Sequence, residues 1–478
     1  MSNISEPNIE DIKQKVENFL NTEAQREKRI AFDYYNLHHD ISHKTVSFFD
    51  PKTAQKVVDR RAPNHKIIVN LYGDAVDEKA NYIFGKAFKF SLSQDNPEYE
   101  AILRKYFNSN FHILLHELAV DAINCCFGWL IPYINSVGEL KFNRILPIGV
   151  YPDWIDSAHT ELRQLIRAYS LERVGAPKIN EIPTIIEVYQ ADKMYRYEYK
   201  DNELYKYQND FECHYIDFGE VYGDWSEIPA IPFKFLPNEK PLIRVCKDLL
   251  DALELILSSS ADDIQKSLNN AIFVLSGYQA DDENLNTALE TLKRYNVMVL
   301  PENGSADMLQ PKMEFEAYKL IIEVFRKFIS YACRNTDLDT LKNAGQHINQ
   351  ATIEAAYSRQ DNDANILALQ FEGALQKVLT FINKYLIMTH QFKPEFANIE
   401  VKFTFNKNQI INTTEKINNL RNSVGILSLM TILENHPYVT DPLEELKRLE
   451  KEKAQELKLD GFFAINNEEK QNSQDDET

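Results

Sequence analysis

Two long runs of helical periodicity, at 242–268 and 315–333, flank a short segment of mixed pattern, and this constrains the chain more than any other feature. Leu242, Val245, Leu249, Leu253, Ile256, Ile264 and Leu268 recur at the spacing of one helix face. That helix is about 40 Å long at 1.5 Å per residue. Phe315, Tyr318, Ile322, Phe325 and Ile329 mark the second helix in the same way. Between them, AIFVLSGY (271–278) reads as a strand, ENLNTALETLKRY (283–295) as a short amphipathic helix and NVMVLPENG (296–304) as a strand and turn. Paired antiparallel, the two helices would hold this insert at the far end of a stalk. The other reading is an ordinary helical hairpin with a decorated loop.

The rest of the chain divides by period. Ile9, Ile12, Val16 and Leu20 predict one helix over 8–30. The stretch 66–90 opens with a further helical run. Ile102, Tyr106, Phe107, Phe111, Leu114, Leu118 and Ile123 predict one long helix over 99–127. From 129 to 236 the period becomes two. A hairpin turns at Gly138, a strand occupies 163–174, and a meander over 184–208 turns at Ala191–Asp192 and Asp201–Asn202. Pro229 and Pro232 hold 228–233 extended, because each proline pushes its predecessor out of helix.

Beyond the second long helix, 334–350 is a polar loop long enough to suggest a function. Residues 351–388 carry no proline and predict a helix of up to about 57 Å. Its apolar pattern lapses at RQDND (359–363), where a bend is expected. A strand follows at 399–405, then more helix, then an acidic tail (NNEEKQNSQDDET) that reads as disordered. The fold class is α+β and mainly helical, and 478 residues allow about three domains.

Lys plus Arg total 53 against 72 Asp plus Glu, a net charge of −19. A protein that grips nucleic acid through its phosphates presents a basic surface, so any DNA contact here must be local or deliberately weak. Glycine, at 14 residues, is sparse and weakens the case for glycine-rich phosphate cradles. Five cysteines without a C-x-x-C pair argue against a zinc ribbon or a secreted disulfide scaffold and suit a reducing cytoplasm. The polar, acidic N-terminus does not read as a signal peptide, and no apolar run approaches the roughly 18 residues of a membrane span.

No catalytic constellation stands out. His112 and His116 are four apart on a predicted helix and precede Glu117, but a metalloprotease motif needs glutamate directly after the first histidine, where Ile113 stands. The cluster His38, His39, Asp40 and His43 places neighbouring histidines on different sides. Gly85-Lys86 lacks the earlier glycine and the following hydroxyl residue of a P-loop, since Ala80 and Ala87 stand there. No enzyme, metal or cofactor is expected. A metal-dependent hydrolase using His112 and His116 is the competing reading from another class, and a helical scaffold without a DNA role is a third.

The order of elements resembles the portal proteins, the head-to-tail connectors of tailed double-stranded-DNA phages, in the type found in long-tailed phages of Gram-positive hosts. The likeness runs through 60–90 (RRAPNHKIIVNLYGDAVDEKANYIFGKAFKF), 117–154, 240–278, 292–337 and the C-terminal stretches VKFTFNKNQIINTTEKINNL and VTDPLEELKRLEKEK. It is colinear over about 31–455. The resemblance implies a ring-forming subunit, usually twelve per ring, at the portal vertex of the capsid, assembled in the host cytoplasm. Double-stranded DNA would pass through it without sequence specificity during packaging and ejection. Its regions would be a wing (1–240), a first stem helix (241–268), a clip (269–314), a second stem helix (315–333), a tunnel loop (334–350), a long helix from wing to crown (351–390), a crown (391–461) and the tail (462–478). Leu249, Leu253, Ile256, Ile322, Phe325 and Ile329 would pack the stem. Lys342, Asn343, Gln346, His347 and Asn349 would face DNA. The implied partners are the terminase large subunit, which would hydrolyse the ATP, a head-completion adaptor, and capsid and scaffolding proteins, with no membrane. Another phage head structural protein is the nearest alternative.

Overall fold

The computed structural model describes residues 9–20, 22–50, 52–60, 62–170, 184–200, 203–206, 214–217, 221–269, 272–276, 305–309, 315–336, 350–408, 413–439, 442 and 444–453. The chain forms two compact units, Met1–Asn335 with Arg359–Asn408, and Thr336–Ser358 with Gln409–Thr478.

The first unit opens with helices α1 (Ile9–Leu20) and α2 (Glu23–Tyr35), where periodicity predicted one. The break falls at Thr22, whose hydroxyl accepts from the Gln25 amide at 3.3 Å and caps the second helix. Helix α3 (Leu71–Phe84) follows. The single helix expected over 99–127 is also two, α4 (Pro97–Tyr106) and α5 (Ser109–Cys125). Asn108 causes this division. Its side-chain oxygen accepts from the Asn110 and Phe111 amides at 3.0 and 3.2 Å and starts α5 afresh. The apolar spacing continues across the break, which is why periodicity alone does not see it.

The period-two region is antiparallel sheet. Strands Val150–Trp154, Leu162–Ser170, Thr184–Tyr189, Met194–Lys200 and Glu203–Lys206 form a meander in chain order. Strand Phe127–Ile134 lies between Leu140–Ile145 and Ile231–Lys234 in a second sheet. The hairpin turns at Gly138, whose φ of +82° is open to glycine at no steric cost. Successive side chains on a strand point to opposite faces. Accordingly Leu165 and Tyr189 join a core with Trp129, Ile131, Ile145 and Val150, whereas Ile166 and Val188 join another with Tyr195, Tyr197 and Ile12 of α1. The meander is therefore buried on both sides.

Helix α5 lies directly against the second sheet. A Cβ added at Gly128 would sit 2.4 Å from the Leu118 carbonyl oxygen of α5, and backbone at that distance cannot move aside. Gly128→Ala is expected to cost about 1–3 kcal/mol in chemical denaturation. A variant as stable as the parent would contradict this packing.

Three further helices continue the labels: α6 (Lys247–Asn269), α7 (Phe315–Ala332) and α8 (Gln350–Met388). A single 3-10 turn, Leu242–Val245, occupies the start of the run read as helix from 242. Helix α8 has 39 residues and is unbroken through 359–363. In the second unit, its Gln350 amide donates to Glu415 of α9 (Thr413–Asn422) at 3.0 Å. Helix α10 (Leu429–Asn435) is capped by Ser428.

Candidate functional site

Helices α6 and α7 pack on one another, and the ends of the pair fix its sense. At one end the buried thiols of Cys246, just before α6, and Cys333, just after α7, are neighbours. At the other end Ile272–Ser276 pairs antiparallel with Ser305–Leu309, in register from Ile272 opposite Leu309 to Ser276 opposite Ser305. The start of α6 therefore meets the end of α7, and the pair is antiparallel. The strand Ser305–Leu309 has no clear alternation in SADML and was not anticipated. The helix expected at 283–295 and the strand and turn at 296–304 lie outside the described residues. Of the six positions expected to pack the pair, Leu253 and Ile329 are buried, while Leu249, Ile256, Ile322 and Phe325 are half-buried.

One face of α6 carries Asp251, Glu254, Ser258 and Asp262, three and four residues apart, and each holds something. The backbone amides of His65, Ile67 and Val69 donate to Asp262, Ser258 and Glu254 at 2.7, 2.9 and 2.9 Å. The match is geometric. Four helical residues advance about 6 Å, and two extended residues advance about 6.6 Å. An extended segment is thus fastened along the helix at every second residue. Asp262 also accepts from Lys44 Nζ at 2.6 Å, and Asp251 accepts from Tyr34 Oη at 2.5 Å and Lys247 Nζ at 2.6 Å.

His39 lies inside this face, fully buried and stacked on Tyr34 with ring centroids 4.3 Å apart. Its Nδ1 is 2.6 Å from Glu254 Oε1 and its Nε2 is 2.9 Å from the Tyr34 carbonyl oxygen. The carbonyl can only accept, so Nε2 carries hydrogen; with Glu254 ionised, Nδ1 donates as well and the ring is an imidazolium. Burial alone would lower its pKa, but the hydrogen bond to Glu254 reverses this, and the net shift is upward.

A second ionic clasp joins α3 to α8. Asp363 accepts from Lys79 Nζ at 3.0 Å and Arg334 Nη1 at 2.8 Å, and Lys79 is 4% exposed. Two residues earlier, Asp361 accepts from Tyr82 Oη at 2.7 Å and Lys407 Nζ at 2.6 Å. The polar lapse at 359–363 is therefore the helix's point of ionic attachment.

The histidines considered for a metal have other partners. His112 packs edge-on against Phe88 at 4.6 Å, and burial lowers its pKa. His116 Nε2 lies 3.0 Å from Asn81 Oδ1. Asp40 pairs with Lys247 at 2.7 Å. Gly85 closes α3 as its C-cap, a position unlike that of a phosphate loop. Among the described residues no group of three or more His, Cys, Asp or Glu side chains is placed to hold a metal ion. Lys342, Asn343, Gln346, His347 and Asn349 lie outside the described residues, as does the tail 462–478. No helix among the described residues is long and apolar enough to cross a membrane.

An antiparallel helix pair with a small β-element at one end, rooted by ionic clasps in an α+β body, describes a structural subunit. Comparison with known families places it further. Residues 18–459 match the model of the family described as phage portal protein, SPP1 Gp6-like, and the chain belongs to that family. Phage portal proteins are virion structural proteins at the junction of head and tail and not enzymes. The chain is 24% identical over 436 residues to the portal protein of Bacillus phage SPP1, covering 90% of this chain and 84% of that one. It is 25% identical over 471 residues to the portal protein of Clostridium phage phiCD119, covering 93% and 97%. Both relatives come from phages of Gram-positive hosts.

Proposed function

We propose that this chain assembles into a ring, of twelve copies, at one capsid vertex, and that the ring conducts double-stranded DNA during packaging and ejection. The observation that carries this reading is the antiparallel pair α6–α7 with a strand pairing at its end, within a chain that matches the portal family almost throughout. In this reading 241–268 and 315–333 are the stem, packed through Leu249, Leu253, Ile256, Ile322, Phe325 and Ile329. Residues 269–314 are the clip, the docking place for the terminase large subunit and later for a head-completion adaptor. Residues 1–240 are the wing, 351–390 the helix from wing to crown, and 391–461 the crown inside a shell of capsid and scaffolding proteins. Assembly takes place in the host cytoplasm.

Two observations support ring formation. Leu320, Val324 and Phe328 recur every fourth residue on α7 and are 62, 40 and 53% exposed, with Ile321 beside them. Such an apolar stripe suits coverage by the next copy, because a ring repeats one pair of complementary faces. A net charge of −19 suits a conduit, since each phosphate neutralised adds affinity and slows sliding.

The loop 334–350 then lines the channel, with Lys342 as its only lysine, next to Asn343, and with Gln346, His347 and Asn349 further along. Lys342→Ala is expected to change single-channel conductance or to slow packaging in a motor-driven DNA-translocation assay. Unchanged conductance and unchanged translocation would remove Lys342 from the channel wall.

A further inference from the structure

The hairpin of Ser47–Asp50 and Gln55–Val58 keeps its large apolar side chains in water. Its register sets Phe49 opposite Lys56 and Ser47 opposite Val58, so Phe49, Lys56 and Val58 share one face. Phe49 is 65% exposed and Val58 53%. Phe48 and Val57, opposite one another on the other face, are exposed as well. A two-stranded hairpin is marginal by itself in water, and apolar side chains on both faces call for a cover. The segment 45–61 also carries Lys52, Lys56, Arg60 and Arg61 against Asp50 and Asp59, in a chain of net charge −19. It is a basic, apolar arm on an acidic molecule.

A cavity of about 510 Å³ in the same unit has the complementary character. The rings of Phe127, Tyr151 and Trp154 line it, with Phe127 and Trp154 5.9 Å apart between centroids. Four carboxylates, Glu27, Asp153, Asp156 and Glu239, stand in its lining against one ammonium, that of Lys28. Three of these acids pair with cations of the protein itself: Glu27 with Arg244 at 2.8 Å, Asp153 with Lys15 at 3.2 Å and Glu239 with Lys234 at 2.8 Å. Asp156 is held differently. It accepts from the Glu161 and Thr160 amides, each at 3.0 Å, and these bonds lower its pKa to about 2. Among the described residues no cation pairs with it. Neutral donors fix this carboxylate in its charged form and leave that charge to a visitor.

We infer that this cavity receives the hairpin of a second copy of the chain, with Phe49 against Trp154 and Tyr151 and the Lys56 ammonium on Asp156. Directly opposite residues of a hairpin hold their Cβ atoms about 5 Å apart, so one docking event delivers the ring and the charge together. The volume is that of a small-ligand pocket and has room for both. Aromatic walls favour an aromatic guest, and a hydrogen bond between ammonium and carboxylate is among the stronger kinds. A second copy is the occupant that the charges select. Two acidic bodies repel, and a basic arm entering an acidic cavity is the contact that draws them together. Arm and cavity are different surfaces of one chain, so the contact is head-to-tail and repeats from copy to copy. The inference rests on the ring reading and names one pair of faces that would meet in it.

The test is disulfide trapping between two full-length variants, Lys56→Cys and Ser157→Cys. Both positions are exposed, Ser157 lines the cavity beside Asp156, and Cys125, Cys126, Cys246 and Cys333 are buried. Oxidised with diamide, the mixture is expected to give at least tenfold more covalent pair than either variant alone. Without added cysteines, Phe49→Ser and Lys56→Glu should each raise the concentration at which copies associate in sedimentation at least tenfold. Their dilute chains should melt with the parent, because both side chains are exposed, and Lys56→Arg should associate like the parent. A mixture that traps no more than the single variants would overturn the contact, and so would Phe49→Ser and Lys56→Glu chains that associate as the parent does. If the parent still closes into rings in either case, the arm's docking fails and the ring stands. A parent that stays monomeric in every mixture would take both readings down.

Discussion

Asp363→Ala is expected to destabilise the first unit by about 3–5 kcal/mol, the cost of breaking a buried ion pair by removing one partner. The loss comes less from the missing attraction than from what remains. Lys79 is 4% exposed and, among the described residues, keeps only a carbonyl contact, with Arg334, at 3.5 Å. Arg334 loses a partner too, but it is largely exposed and water can replace the carboxylate. The double variant Lys79→Met with Asp363→Leu should recover most of the stability, since replacing a buried pair by apolar side chains of similar volume is often neutral or stabilising. Urea denaturation of the single and double variants measures both terms. A single variant within about 1 kcal/mol of the parent would contradict the clasp, and so would a double variant no better than the single.

Glu254→Ala should have a comparable effect, again about 3–5 kcal/mol, with a pH signature that Asp363→Ala lacks. The substitution leaves the His39 imidazolium and the Val69 amide buried without their acceptor. His39 has a folded-state pKa above its ordinary 6.5. Its stabilising contribution is therefore fully present below pH 6.5 and is lost as pH rises through the folded value, because the folded state binds the proton more tightly than the unfolded one. The melting temperature of the parent should fall across that window. In Glu254→Ala the fall should shrink or reverse, since burial without the carboxylate favours neutral imidazole. A parent and variant with parallel melting curves from pH 6 to 9 would show that His39 does not carry the charge in the folded state.

The elements that periodicity reads well are those whose burial follows a single face. The hairpin at Gly138, the meander from 184 and the pair α6–α7 all place their apolar residues by spacing alone. The breaks at Thr22 and Asn108 were missed because a cap is made by one polar oxygen and leaves the apolar spacing intact on both sides. The lapse at 359–363 suggested a bend. Asp361 and Asp363 face partners 46 and 284 residues away in sequence, and local pattern carries no trace of such pairs. The same holds for His39, which reads as one of a loose histidine cluster and instead closes a buried pair with Glu254. The ladder Glu254–Ser258–Asp262 went unread too, because the apolar spacing of the helix says nothing of the backbone amides its polar face accepts from. The long, colinear resemblance to portal proteins came from the order of elements, and the family match over 18–459 agrees with it.

The central claim is that copies of this chain close into a ring around an open channel. Negative-stain electron microscopy of the purified protein, with native mass measured in parallel, tests it most directly. Twelve copies of a 55.6 kDa chain predict about 670 kDa and a ring with a central hole and a narrower stalk. A chain that stays monomeric even with scaffolding and capsid proteins present would contradict the account.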